Sequence, residues 1–367
     1  MYPDIIAIGI PFMVACVVIE FVYVFRKKIA NYRVNGAISN ISCGIFEQVT
    51  GFISKGLFIA LYLHVYETWR LLTLADTLWV WLSLIVLVDL VFYFFHRLSH
   101  RCSFLWAGHV VHHEVEEFNL TVALRRSVMQ EFTIIWVYLP FAVFGFSPGA
   151  FFLVFAAHNL YQFLIHTSHL PQMKTFGRVF NTPYHHEIHH CRNACYIDKN
   201  FAGVFIVWDK LFGTFAARTE VTEFGIDQPT TTLNPVMAQI STLMRVLRET
   251  RRRQGWRGKL EALLGSPHYL SIELGMPPST ADSQPVRPKF DPEISRFDFR
   301  LVIVSFVTLV VGTTIYRNFE EALSTQQKLL ALAIIGFALF HIGRLLDNRG
   351  PGKVKLAPSV AEQSSDA

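Results

Sequence analysis

Histidines crowd into one stretch of this sequence. Of the fifteen, twelve fall between His96 and His190, most of them in clusters whose members are three or four residues apart. Residues at that spacing share one face of a helix, so neighbouring clusters can point several imidazoles into one volume. Neutral imidazole is a good ligand for iron, zinc or copper. The clusters are His96-x-x-x-His100, His109-x-x-His112-His113, His166-x-x-His169 and His186-x-x-His189-His190.

The number of histidines indicates which kind of metal site to expect. Single histidines are usually core or interfacial residues, but burying this many without a common partner would leave costly unsatisfied groups. A closed zinc site takes four ligands, usually including thiolates. Soluble di-iron bundles use Glu together with Glu-x-x-His pairs, a pattern missing from this sequence. Two irons held by histidine alone are the better interpretation, with zinc or manganese as occupants of a purified sample.

The elements that position these histidines are predicted to be membrane helices. The chain of 367 residues is 52% hydrophobic and only 17% charged, against roughly 25% charged in a soluble domain. Long apolar stretches predict an all-α, polytopic membrane helical bundle. The glycines and proline of 145–149 interrupt one stretch and predict a helical hairpin that returns to the same face. The apolar segments are Ile5–Phe25, Cys43–Val65, Thr77–Phe95, Phe132–Ile165, Leu301–Tyr316 and Lys328–Ile342.

Basic residues beside the spans predict the orientation. Arg26, Lys27 and Lys28 follow the first apolar segment, which places that end in the cytosol. Counting spans from there delivers His96, at the end of the third, to the same face. We therefore expect a multi-pass protein of a bacterial inner membrane or the endoplasmic reticulum, with its histidine-rich di-metal site at the cytosolic helix ends.

The remaining features limit the function classes. A net charge of +5 without a basic run among aromatics argues against nucleic acid as a partner. Five cysteines without a CxxC pair argue against a disulfide framework or a zinc ribbon. The basic stretch from Arg245 to Arg257 is either a solvated helix face or an amphipathic segment resting on anionic lipid headgroups.

Composition shifts predict the domain organisation. N-terminal membrane helices occupy 1–76, and a di-iron catalytic domain occupies 77–220. A cytosolic basic segment with a linker follows at 221–299. C-terminal membrane helices occupy 300–345, and a disordered tail occupies 346–367.

The histidine motifs also carry a family resemblance. HRLSH, HVVHH and HHEIHH resemble the boxes of the fatty acid hydroxylase and sterol desaturase superfamily of membrane di-iron enzymes. The stretch from Asp89 to Phe215 is most similar to the alkylglycerol monooxygenase branch. Glu187 and Cys191 stand where that branch typically has Arg and Gly, which leaves substrate and reductant open. The matching segments are FLWAGHVVHH, NLTVALRRS, NLYQFLIHTSH, NTPYHHEIHHCRN and YIDKNFAGVFIVWDKLFGTF.

The resemblance implies a set of site residues. Asp89, two helical turns before His96, is expected to orient a ligand imidazole. Loop-borne Asn119, Arg125 and Asn193 are expected to organise the mouth of the site, and His158 and His185 to lie behind the ligands. The implied metal ligands are His96, His100, His109, His112, His113, His166, His169, His186, His189 and His190.

The implied reaction is oxidation of a lipid C–H bond by O₂ at two iron ions. An ether lipid, a fatty acyl chain or a sterol is the expected substrate. Electrons would come from tetrahydrobiopterin or from a partner reductase, because no nucleotide-binding glycine motif is present. Desaturation at the same site is the first alternative. The second is a non-enzymatic membrane metal-binding protein, which the position of the histidines at helix ends disfavours.

Overall fold

A computed structural model describes residues 5–29, 32–228, 230–267 and 289–347. Within these residues the regular secondary structure is helical, with two isolated bridges that pair Phe180 with Phe205 and Cys191 with Phe224, and loops connect the helices. The predicted all-α fold is therefore confirmed. The helices are α1 (Ile5–Lys27), α2 (Val34–Trp69), α3 (Leu78–Arg101), α4 (Ser103–His113), α5 (Val128–Val143), α6 (Pro148–Leu164), α7 (Pro183–His189), α8 (Val207–Leu211), α9 (Pro235–Arg252), α10 (Gly255–Leu264), α11 (Arg296–Phe319) and α12 (Thr325–Leu346).

Several of these helices have the length and composition of membrane spans. In the described part of the chain, four helices qualify alone: Gly9–Lys27, Leu78–Arg101, Arg296–Ala322 and Thr325–Leu346. Helix α2 bends by 47° between its two halves. It qualifies as a fifth span when the two halves are counted as one helix. A helix of about 20 apolar residues crosses roughly 30 Å of hydrocarbon. The chain is an integral membrane protein, as its composition predicts.

Helices α5 and α6 form the predicted hairpin. The Ser147 side chain accepts from the Ala150 amide, and Pro148 occupies the first turn of α6. Gly145 has a φ of 89°, and a Cβ there would lie 2.0 Å from the Leu72 carbonyl oxygen. The Leu71 amide donates to the Val143 carbonyl at 2.7 Å, so the hairpin tip lies beside the end of α2.

An aromatic core holds the hairpin against α2 and α3. Tyr62 of α2 stacks on Phe151 of α6 with ring centroids 4.5 Å apart, and its hydroxyl donates to the Phe146 carbonyl at 3.0 Å. The Tyr138 hydroxyl of α5 donates to the Val88 carbonyl of α3 at 3.3 Å. These contacts are buried, and they place the end of α3, with His96 and His100, beside the end of α6.

The C-terminal half closes around α9. This helix packs against α2, α4 and α12. Asp347, after α12, accepts from the Leu233 amide at 2.6 Å and the Thr232 hydroxyl at 2.5 Å. The segment predicted as basic and cytosolic therefore includes a packed helix of the bundle, while the domain boundaries remain predictions. Of the predicted linker and tail, residues 268–288 and 348–367 lie outside the described residues.

Candidate metal centre

The structure gathers nine of the ten predicted ligands into two groups. Within each group, one ring nitrogen of every imidazole lies within 4.8 Å of the others. Each group contains only histidines among the described residues. The first comprises His96, His100, His109, His113 and His189, and the second comprises His112, His166, His186 and His190.

Helical spacing divides the histidines between the two groups. On α4, His109 and His113 are one turn apart and point into the first group, whereas His112 points into the second. The α7 region repeats this division, since His189 joins the first group while its neighbours join the second. The groups adjoin, because the rings of His113 and His190 stack with centroids 4.4 Å apart. The arrangement therefore provides two metal positions side by side.

Oxygen acceptors on Nδ1 set the tautomer of five imidazoles. Because a carbonyl oxygen can only accept, each of these Nδ1 atoms carries the proton, and each Nε2 has a free lone pair. In the first group, His96 donates to Phe201 O at 2.8 Å, His109 to Gln130 Oε1 at 3.0 Å and His189 to Lys199 O at 2.8 Å. In the second group, His112 donates to Arg125 O at 3.3 Å and His166 to Gln162 O at 2.6 Å.

The spacing of the Nε2 atoms fits a bound ion in each group. The Nε2 atom of His109 lies 2.8 Å from that of His96 and 3.0 Å from that of His113. In the second group, the corresponding distances are 3.0 Å from His112 to His166 and 3.2 Å from His186 to His190. Nitrogens about 2.1 Å from one ion lie about 3.0–3.4 Å apart, which these distances approach.

Unpartnered nitrogens support the same interpretation. The Nε2 atoms of His100 and His189 are buried and have no hydrogen-bond partner in the part of the chain that the structure describes. A buried polar atom without a partner is costly, and a metal ion supplies the missing interaction for an imidazole lone pair. Imidazole donors alone suit iron, zinc or copper, and nine exceed the need of one ion.

Burial keeps the grouped imidazoles neutral. It lowers the pKa of His109 to about 4 and that of His189 to about 3. The pKa values of His112 and His190 also fall well below the usual range, through burial first and neighbouring imidazoles second. Because only the neutral imidazole binds a metal, these side chains are in the binding state at neutral pH.

His169 lies outside both groups. Its ring contacts Tyr23 of α1 with centroids 5.6 Å apart, and no described residue forms a hydrogen bond with its buried Nε2. The two histidines expected behind the ligands also lie outside the groups: His158 binds Asp89, and His185 packs against Phe215.

Among the described residues, Asp89 hydrogen-bonds to His158, which lies outside both groups, rather than to one of the nine grouped imidazoles. It accepts from His158 Nε2 at 2.8 Å, because two turns along α3 carry it below the level of His96. It also accepts from the backbone amides of Val204 and Phe205 at 2.6 and 2.9 Å. The loop that carries Val204 and Phe205 also includes Phe201, whose carbonyl oxygen accepts from His96 Nδ1. Asp89 therefore binds the loop that orients His96.

The other three predicted polar residues also shape the surroundings. The Arg125 guanidinium donates to Val111 O at 2.7 Å and pairs with Glu114. Asn119 Oδ1 accepts from the Thr121 amide at 3.1 Å, and Asn193 Oδ1 accepts from the Glu223 amide at 2.9 Å. Their side chains form no hydrogen bond with a ligand ring among the described residues.

Sequence reasoning missed three contributors. Gln130, near the start of α5, accepts a hydrogen bond from His109. In the sequence it could be noticed only as a polar amide near the start of an apolar helix. Phe118 covers the second group, with its ring centroid 5.7 Å from His166 and 5.2 Å from His190. Glu20 of α1 accepts from the Leu120 amide at 2.8 Å and the Thr167 hydroxyl at 2.5 Å.

Comparison with known proteins agrees with this site. The fatty acid hydroxylase family profile matches residues 81–214, which hold every histidine of the two groups. Human alkylglycerol monooxygenase is 32% identical over 356 residues, covering 95% of this chain and 79% of that protein. The Xenopus tropicalis alkylglycerol monooxygenase is 29% identical, covering 95% of this chain and 78% of that protein.

More distant similarity points the same way. An ornithine lipid hydroxylase of Rhizobium tropici is 26% identical over 145 residues, which cover 39% of this chain and 44% of that protein. No solved structure matches the chain. These names specify monooxygenation or hydroxylation, which favours hydroxylation over desaturation and over metal carriage. The chain belongs to the alkylglycerol monooxygenase family of membrane lipid hydroxylases.

Proposed function

We propose that this protein uses O₂ at a pair of irons to hydroxylate the carbon next to the ether oxygen of an alkylglycerol lipid. The observation that carries the proposal is the convergence of nine neutral imidazoles into two adjoining groups at the ends of membrane helices. The names of the full-length relatives support the ether substrate.

The reaction balances as a monooxygenation. One oxygen atom enters the C–H bond beside the ether oxygen, and the other leaves as water after uptake of two electrons and two protons. The ether oxygen favours this position, because its lone pair stabilises the carbon radical. The resulting hemiacetal breaks its C–O bond to give a long-chain aldehyde and a glycerol derivative. The irons, when bound, supply O₂ activation.

The chain's own residues hold the metals and exclude water. The nine histidines of the two groups are the proposed ligands, while Asp89, Asn119, Arg125 and Asn193 are proposed as positioning residues. Phe118 lies over the second group, and Trp106 packs on His100 with centroids 5.0 Å apart. A dry, aromatic-walled site limits side reactions of the oxidant with water.

The proposal extends to the site's orientation and electron source. The active site faces the cytosol of a bacterial inner membrane or the endoplasmic reticulum, because basic residues follow α1 on the site's side of the bundle. Electrons come from a tetrahydropterin such as tetrahydrobiopterin or from a partner reductase. Both donors deliver the two electrons that the reaction requires.

The decisive experiment measures aldehyde release. Membranes containing the protein are incubated with a 1-O-alkylglycerol and O₂, with either a tetrahydropterin or a reductase and its reductant. Long-chain aldehyde is expected with at least one donor, and none is expected from membranes carrying the His189→Ala variant. Two iron ions per chain are expected in the purified active protein.

Other outcomes would redirect the proposal. Hydroxylated acyl chains or sterols beside untouched ether lipids would refute the ether substrate and keep the hydroxylase. A new double bond without hydroxylation would identify a desaturase. Reproducibly one metal ion or none in active protein would refute the two-metal centre.

A further inference from the structure

Helix α10 exposes a stripe of large apolar side chains. Trp256, Leu260 and Leu264 are 68%, 44% and 60% exposed. They follow one another at intervals of four, so they lie on one face of the helix. The opposite face packs inward through Ala262, which is buried. An exposed stripe of this kind marks a contact with a membrane or a partner.

The end of α10 is fixed where a membrane span ends. Span α3 ends at Arg101. Two residues later, the Ser103 amide and hydroxyl donate to the Gly265 carbonyl at 2.9 and 2.8 Å. The Cys102 thiol lies 3.6 Å from the Leu263 carbonyl oxygen. These bonds hold α10 at the level where the chain leaves the apolar layer.

Positive charge borders the stripe. Arg251, Arg252, Arg257 and Lys259 are exposed, and of these Arg252 pairs with Glu249 at 2.9 Å. Glu261 is the acidic residue of α10 and is also exposed. An apolar face flanked by Lys and Arg is the pattern of helices that lie in the plane of an anionic bilayer surface. Each basic residue near such a surface strengthens the contact roughly fivefold.

We propose that α10 and the end of α9 form an interfacial anchor that binds anionic phospholipid of the bilayer in which the protein sits. The stripe lies among the acyl chains near the headgroups, and the basic side chains contact lipid phosphates. Anionic phospholipid is the proposed ligand because its charge complements that of the basic side chains, and because hydrogen bonds join the end of α10 to the residues that follow α3. The inference goes beyond the proposed function and is independent of its substrate.

The anchor is connected to the metal-binding helix. Ala107 of α4 and Val246 of α9 are buried in one apolar cluster, against which Leu243 and Leu263 pack. Helix α4 carries three histidines of the two groups. The anchor is therefore in packing contact with the helix that carries these histidines.

The test uses an environment-sensitive fluorophore on the full-length protein in nanodiscs. Single cysteines replace Leu260 or Glu261 in a protein whose Cys16 and Cys195 are serine. With phosphatidylglycerol present, emission from position 260 is expected to shift to the blue and to be quenched by spin-labelled lipid. Position 261 is expected to remain open to an aqueous quencher. In pure phosphatidylcholine, the lipid quenching at 260 should fall several-fold.

A matched pair of variants separates the anchor from general charge loss. Arg251→Gln/Arg257→Gln removes two anchor charges and should abolish the phosphatidylglycerol dependence at position 260. Arg317→Gln/Lys328→Gln removes two charges from α11 and α12 and should preserve it. Equal lipid quenching at position 260 in phosphatidylglycerol and in phosphatidylcholine would overturn the proposal. Protection of positions 260 and 261 from the aqueous quencher without lipid quenching would also overturn it and would indicate a protein partner.

Discussion

The direction of five of the nine imidazoles is set by the oxygen atom that accepts from Nδ1. Backbone carbonyls of Phe201, Lys199 and Arg125 each receive an Nδ1–H, so the corresponding Nε2 lone pairs point at the metal positions. Partners of this kind hold ligand rings in place and raise their basicity. Loops around the site thus orient imidazole rings that the helices carry.

Removing one ligand should empty one metal position more than the other. His189→Ala alters the first group and His190→Ala the second, although the residues are neighbours. Each variant is expected to retain about one metal ion per chain, lose activity and remain inserted, because the membrane helices do not require the metal. Elemental analysis and membrane fractionation measure these quantities.

His169→Ala is the matched control for this prediction. Because His169 lies outside both groups, its variant should retain two metal ions and most of the activity. A metal loss equal to that of His189→Ala would show that His169 is a ligand after all. Loss of both ions from His189→Ala and His190→Ala alike would show that the positions do not fill independently.

Substitution of Gln130 tests whether the hydrogen bonds to Nδ1 atoms support the grouped imidazoles. Its side-chain oxygen accepts from His109 Nδ1 at 3.0 Å. Gln130→Ala is expected to lower metal affinity roughly 10–100-fold, the usual effect of losing such a partner. Gln130→Glu keeps an acceptor and should restore affinity. Competition with a chelator measures both variants, and equal affinities in the two would contradict the positioning role.

The sequence predicts which histidines gather better than it predicts the residues that support them. Spacings of three and four residues identify the nine gathered histidines, because helical geometry alone places them. Backbone acceptors such as Phe201 O carry no side-chain signature. Asp89 illustrates the limit, since its distance of two turns from His96 is readable, but its preference for His158 and the loop amides depends on tertiary packing.

Among the elements, α1 is joined to the second metal group by one buried carboxylate. Glu20, 6% exposed, bonds Leu120 and Thr167, which adjoin the site residues Asn119 and His166. Glu20→Ala should destabilise the fold by about 1–3 kcal/mol for each donor left without an acceptor. Thermal unfolding in detergent measures this loss.

A control on α2 distinguishes that effect from loss of charge. Glu67 is exposed, so Glu67→Ala should leave the unfolding temperature unchanged. Iron should also be lost from Glu20→Ala preferentially at the second group, leaving between one and two ions per chain. Unchanged stability of Glu20→Ala would show that α1 docks without this contact.

The hairpin tip gives a second prediction for an element. At Gly145, a side chain would meet the Leu72 carbonyl and strain a positive φ. Gly145→Ala is expected to cost about 1–2 kcal/mol or more of stability. Gly312→Ala in α11, where a Cβ has open space, should be neutral or stabilising. Equal unfolding temperatures for the two variants would contradict the assigned tip geometry.

Elements with strong local signals were predictable, and those fixed by packing were not. Apolar length predicts α1, α3, α11 and α12, and the run from Gly145 to Gly149 predicts the hairpin turn. The bend in α2 and the short helices α7 and α8 have no comparable signal, because few residues and distant contacts determine them.

Viewed whole, the molecule has two distinguishable ends. One end carries the metal groups, the pair between Arg33 and Glu117 and the bond from Ser103 to Gly265. The other carries the hairpin tip beside Leu71. Arg26 and Lys27 lie in the last turn of α1, and Arg344 lies in the last turn of α12. By the charge rule for membrane proteins, we predict that the site's end faces the cytosol.

Cysteine labelling tests this orientation on intact bacterial cells that carry the protein in their inner membrane. Native Cys195 is exposed in the loop beside the metal groups, while Thr73→Cys and Glu321→Cys place thiols in the α2–α3 and α11–α12 connections. A membrane-impermeant maleimide should label positions 73 and 321 in intact cells, and Cys195 only after permeabilisation, because the bilayer separates the two ends. Background from Cys195 is removed by serine in the two engineered variants. Labelling of Cys195 in intact cells, with positions 73 and 321 protected, would invert the topology and place the oxidation chemistry on the opposite face from the proposed electron donors.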